Sequence, residues 1–110
     1  MQKTSLTALA RTELESALTA SSGRSSRTIY GGHEHALRQT LIALKAGERL
    51  SEHESPGEAT IQVLVGRVRL VAGKDSWGGW IGDLLTIPEA VHSLEADEDS
   101  VVLLTVVKSV

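Results

Sequence analysis

The sequence predicts an all-β barrel of the jelly-roll type with one short N-terminal α-helix, and three observations lead there. From residue 28 onward, short runs of Val, Ile, Leu and Thr are broken at close intervals by Gly, Pro and Asp, the pattern of many short strands joined by tight turns. Helical periodicity is confined to residues 5–20, so strands do not alternate with helices and a parallel α/β sheet is not expected. Two sheets closing on each other hide edges that would otherwise pair with other chains, which suits 110 residues.

The helix rests on Leu6, Leu9, Leu14, Ala17 and Leu18 at helical spacing, with Arg11, Glu13, Glu15 and Ser16 mostly between them. Thr4 or Ser5 caps its start and Ser21-Ser22-Gly23 ends it. Such a helix cannot bury its leucines alone, so it packs on the barrel or on a second copy. Residues 23–27 read as a polar linker, which divides the chain into helix and linker (1–27) and barrel (28–110) within one structural domain. Strands are expected at 28–30, 36–44, 48–54, 59–65, 67–72, 84–87, 91–96 and 100–108. Gly31-Gly32, Gly47, Pro56-Gly57, Gly66, Gly73, Gly78-Gly79 and Gly82 supply the turns, and Asp97-Glu98-Asp99 a solvated one.

Composition excludes several functions. A net charge of -3 lacks the basic footprint of a nucleic-acid binder, and 3% aromatic residues with no Phe leave no platform for stacking bases. Without cysteine there is no disulfide framework, thiolate metal site or cysteine nucleophile. No apolar run approaches the roughly 20 residues of a membrane span, and the N-terminus does not read as a secretory signal. The expected location is the cytoplasm, with no membrane partner.

Two stretches carry chemistry. The first runs from Gly47 through Glu52-His53-Glu54-Ser55-Pro56-Gly57-Glu58-Ala59 to Val63-Leu64-Val65-Gly66; the second is Gly82-Asp83-Leu84-Leu85-Thr86-Ile87-Pro88 leading to His92. Together they resemble the two motifs of a small single-domain cupin (cupin-2-like), over roughly residues 37–107. The resemblance implies a double-stranded β-helix, commonly a homodimer, and in many members one divalent metal held inside the barrel by histidines and a carboxylate. His53 and His92 match two of those ligands. Ser55 stands where the second histidine of the first motif is usual, and Ala59 where the carboxylate is.

A neutral hydroxyl is a poor ligand and alanine is none, while two histidines bring no negative charge to offset a dication. Tight metal binding is therefore not expected; if a metal is held, Fe, Mn, Ni, Cu or Zn suits the donors. Glu58 or His35 are the substitute ligands to consider, Glu58 only if the Pro56-Gly57 turn re-phases its strand. Alternation predicts instead that Ala59, Ile61 and Val63 face inward. Arg38 or Gln39 offers one more polar group to the cavity, and parity leaves open which.

The expected pocket comprises His53, Ser55, Ile61, Val63, Trp77, Trp80 and His92, the two tryptophans lying in a loop that covers the barrel mouth, plugs its end or meets a partner. The function expected is a small-molecule-binding or accessory protein that pairs with itself. The alternative is a metal-dependent oxygenase or isomerase built on His53, His92 and a substitute ligand. Ligand and reaction are not legible.

Overall fold

The computed structural model describes residues 2–53 and 57–108, following Glu52 and His53 along the backbone only. Ser5 opens α1 (Leu6–Thr19): its hydroxyl accepts a hydrogen bond from the Ala8 N–H at 3.2 Å, satisfying one of the first-turn donors. Among the described residues nine strands follow: β1 (Arg24–Tyr30), β2 (Leu37–Leu44), β3 (Arg49–His53), β4 (Gly57–Val65), β5 (Arg67–Ala72), β6 (Asp75–Trp80), β7 (Leu84–Thr86), β8 (His92–Ala96) and β9 (Ser100–Lys108). All pair antiparallel, in a five-stranded sheet of order β1-β2-β9-β4-β7 and a four-stranded sheet of order β3-β8-β5-β6. The chain crosses repeatedly from one sheet to the other, which is the jelly-roll arrangement expected from the sequence.

The five-stranded sheet is apolar on both faces at its centre. Ile42, Leu44, Ala59, Ile61, Val63, Val102 and Val106 turn toward Val68, Leu70, Leu94 and Ala96 of the opposing sheet and fill the barrel. Leu41, Ala43, Val101 and Leu103 turn the other way and are covered by Ala10 and Ala17 of α1, with Leu6, Leu9 and Leu14 beside them. The helix thus lies on its own barrel, leaving Leu18 exposed.

One polar contact fixes the helix. Glu13 is buried, and its carboxylate accepts from Arg27 Nε at 2.8 Å and from Ser25 Oγ at 2.5 Å, both on β1. This explains why residues 24–27, read as a polar linker, are strand. Ser25 and Arg27 pair with Ala43 and Leu41 on the helix-covered face and carry the helix's polar partner. An irregularity between Thr28 and Tyr30 then brings Tyr30 opposite Gln39 on that same face.

The second departure is β6. Gly78-Gly79 with its flanking tryptophans was expected as a loop, yet the segment pairs with β5 from Asp75 to Trp80. Gly79 is there because two elements close on it: an added Cβ would lie 3.1 Å from both Leu85 Cδ1 and Val63 Cγ2.

Candidate functional site

The register of β8 builds the site. Leu94 and Ala96 lie in the barrel core, so His92, two residues before Leu94, occupies the same face, and it is only 3% exposed. Its Nδ1 lies 2.8 Å from the Ala90 carbonyl oxygen. A carbonyl can only accept, so Nδ1 carries the proton, and in the neutral ring Nε2 is the basic nitrogen. On the neighbouring strand Leu50 pairs with Leu94, and after an irregularity His53 pairs with His92. The backbone therefore sets the two histidine positions opposite each other at one end of the barrel, on adjacent strands.

The facing sheet supplies the rest of that end. Val106 pairs with Ala59 on one side and with Arg38 on the other, and all three take the inward register of Ile42 and Leu44. Thr40, half-buried, follows Arg38 on the same face, opposite Leu104. Ile87 closes the row, its N–H donating to the Ala59 carbonyl at 3.0 Å. Gln39 faces the helix side, where its Nε2 donates to Thr105 Oγ1 at 3.3 Å. The choice between Arg38 and Gln39 that alternation left open thus falls to Arg38.

Other candidates lie elsewhere. Ile61 and Val63 face inward as expected, but as packed core residues. Trp80 pairs with Arg67 at the end of the sheet away from His92, is 54% exposed, and has the Arg67 guanidinium 4.0 Å from its ring centroid. Trp77 pairs with Leu70 on an edge strand and is 44% exposed. Neither tryptophan lies in a loop over the His92 end; strand pairing through the two glycines holds them on β6. Ser55 lies outside the described residues, as does the side chain of His53. On the outer surface of the other sheet, Arg69 reaches Asp97 at 3.2 Å and Glu95 at 3.4 Å. The hydrogen bond and charge of Asp97, with the charge of Glu95, raise its pKa above the ordinary arginine value.

The resemblance implies a divalent metal, and the donors can be tested against the geometry. Ala59 fills the carboxylate position, 7% exposed and packed in the core. Glu58 pairs with Val107 on the opposite face and is exposed, so the Pro56-Gly57 turn has not re-phased the strand and Glu58 is no substitute. His35 is exposed, its ring 5.2 Å from that of Tyr30 in an edge contact, and the register of Tyr30 opposite Gln39 draws it to the outer side. Among the described residues no group of three or more His, Asp or Glu side chains gathers. The described donors do not fit a divalent ion, which needs compensating charge and at least three protein ligands.

No family model matches the chain, and no curated protein does either. Solved structures do. A conserved protein of unknown function from Streptococcus pyogenes is 27% identical at a TM-score of 0.72, over 83% of this chain and 79% of that one. An RmlC-like cupin from Desulfovibrio desulfuricans is 25% identical at a TM-score of 0.67, over 76% and 81%. A cupin superfamily protein from Desulfitobacterium hafniense is 17% identical at a TM-score of 0.72, over 78% of each. No helix among the described residues is long and apolar enough to cross a membrane. With two facing antiparallel sheets, the strand order given above and these likenesses, the chain has the fold of the small single-domain cupins.

Proposed function

We propose that this protein binds a small molecule at the His92 end of its barrel and does so without a resident metal. The observation that carries the reading is the register that sets His53 opposite His92 while the inward position on the facing sheet is Ala59. A few convergent polar groups over an apolar floor are a usual feature of a small-molecule site. The His92 imidazole there can give and take hydrogen bonds or a proton. The test is metal analysis of purified protein combined with a metabolite screen read on the His92 ring by NMR. The expected result is substoichiometric metal and at least one compound that moves those signals. Stoichiometric, tightly held metal would overturn the reading.

A second copy of the chain is the proposed partner. The helix leucines no longer support this, since they pack on their own sheet. What supports it is the pair Leu37 and Val107, opposite each other on the outer face and 36% and 43% exposed. Light scattering is expected to give a dimer at micromolar concentration. The cytoplasm is the proposed location, since a chain without cysteine draws no stabilisation from an oxidising compartment.

A further inference from the structure

Among the described residues, the charged side chain on the inward face at the His92 end is that of Arg38. Arg38 lies on the inward face, next to Val106 and two strands from Ala59, a separation of about 10 Å at the usual strand spacing. Its guanidinium is exposed and forms no hydrogen bond or ion pair with the described residues. Arg69, by contrast, is bound by two carboxylates, and Arg27 by Glu13. The carboxylates nearest in sequence do not answer Arg38: Glu58 faces the opposite side of the sheet, and Glu34 and Glu89 lie in exposed loops. With alanine at position 59, this end of the barrel offers a cation at Arg38, a half-buried hydroxyl at Thr40 and an imidazole at His92, with no acidic group on the inward face among the described residues. Such a set repels a metal ion and attracts an anion.

From this we infer that the ligand of the pocket is a small organic carboxylate. Arg38 supplies the charge and a forked pair of N–H donors, Thr40 a hydroxyl donor, and the aliphatic floor of Val106, Ala59 and Ile87 covers the rest of the molecule. Carboxylate rather than phosphate follows from charge and floor: a single guanidinium offsets one negative charge and not the nearly two of a phosphate, and the surface beside it is apolar. The inference rests on the binding reading above and adds the ligand's class.

The experiment titrates full-length protein with pyruvate, isobutyrate and benzoate, and with their neutral amides, following His92 ring signals and fitting Kd. The expected result is a carboxylate that binds at least about tenfold more tightly than its amide, as loss of one charge-assisted contact implies. Arg38→Gln is expected to weaken that carboxylate by a similar factor with unchanged thermal stability, because Arg38 is exposed and has no partner among the described residues, and Arg38→Lys to recover part of the loss. Amides that bind as tightly as acids, or an Arg38→Gln variant within about twofold of wild type, overturn the carboxylate class and leave the pocket standing. If no member of the panel, charged or neutral, moves the His92 signals, the pocket falls as well.

Discussion

Removing the carboxylate of Glu13 is expected to destabilise the fold by about 2 kcal/mol, and the geometry says why it is neither zero nor five. Two contacts disappear in Glu13→Ala. The Ser25 hydroxyl bond, 2.5 Å long, is charge-assisted and enclosed by the helix, a class worth about 1.5–3 kcal/mol net of desolvation. The Arg27 contact is 2.8 Å long, but the arginine side chain is 48% exposed and returns to water when released, so it counts as a surface pair worth about 0–1 kcal/mol. Arg27→Ala tests the other direction: it leaves a carboxylate that is 5% exposed with Ser25 alone, at a cost of about 1–3 kcal/mol despite the arginine's exposure. Urea unfolding followed by far-UV circular dichroism gives both values, and the double variant gives their coupling, expected to be about 1 kcal/mol. For a domain of this size about 2 kcal/mol lowers Tm by roughly 10 °C. Amide exchange should accelerate first in α1, because the contact joins that helix to β1. A Glu13→Ala protein as stable as wild type would show that apolar packing alone holds the helix, and the argument from the buried carboxylate would be wrong.

The glycines of β6 separate two causes. Gly79→Ala forces Leu85 and Val63 apart and is expected to cost about 1–3 kcal/mol, whereas Gly78→Ala meets nothing within 4 Å and should be neutral or slightly stabilising; equal thermal shifts would refute the packing account. Ser100→Ala removes the hydroxyl that accepts from the Arg67 N–H at 3.1 Å and donates to the Glu98 carbonyl at 2.7 Å, at a 1% exposed position, and should lose about 1–3 kcal/mol in chemical denaturation. Trp80→Ala releases Arg67 from its ring but opens no core, so a loss of about 0.5–1 kcal/mol is expected, with His92 ring shifts unchanged because the two lie at opposite ends of the sheet.

Strands with one wet face are legible from alternation, and β4 is the clear case: Ala59, Ile61 and Val63 alternate with the polar Glu58, Thr60 and Gln62, so the sequence itself marks the inward set. β2 could not be read this way. From Leu41 to Leu44 both parities are apolar, one facing the barrel and the other the helix, and the parity of Arg38 and Gln39 vanishes into that run. Only the pairing of Arg38 with Val106 restores it. Residues 24–27 misled for the converse reason: an edge strand whose apolar neighbours are supplied by other elements carries no apolar pattern of its own. β6 misled because glycine is scored as a breaker, while here it marks a close approach that only the third dimension reveals. Glu13 gave no signal, since a charge at a helix position next to the apolar stripe is ordinarily solvated, and its partners lie 12 and 14 residues onward on a strand that the sequence did not announce.

Strand parity also limits how many residues decide the chemistry. A chain of 110 residues has little interior to give away, and most of this one is packed with Val63, Val68, Leu70, Leu94 and Ala96. Function is left with Thr40 in the Leu104 row and the positions beyond Leu94 and Leu104, where the inward residues are His92, Arg38, Val106 and Ala59. In so small a set one side chain sets the sign of the local charge. A carboxylate at position 59 would offset the charge of the arginine two strands away and favour a cation near His92; alanine there leaves that charge uncompensated on the inward face. The absence of an acidic residue at position 59 and the lack of a partner for Arg38 among the described residues are then two aspects of one arrangement, and the anion preference follows from their combination.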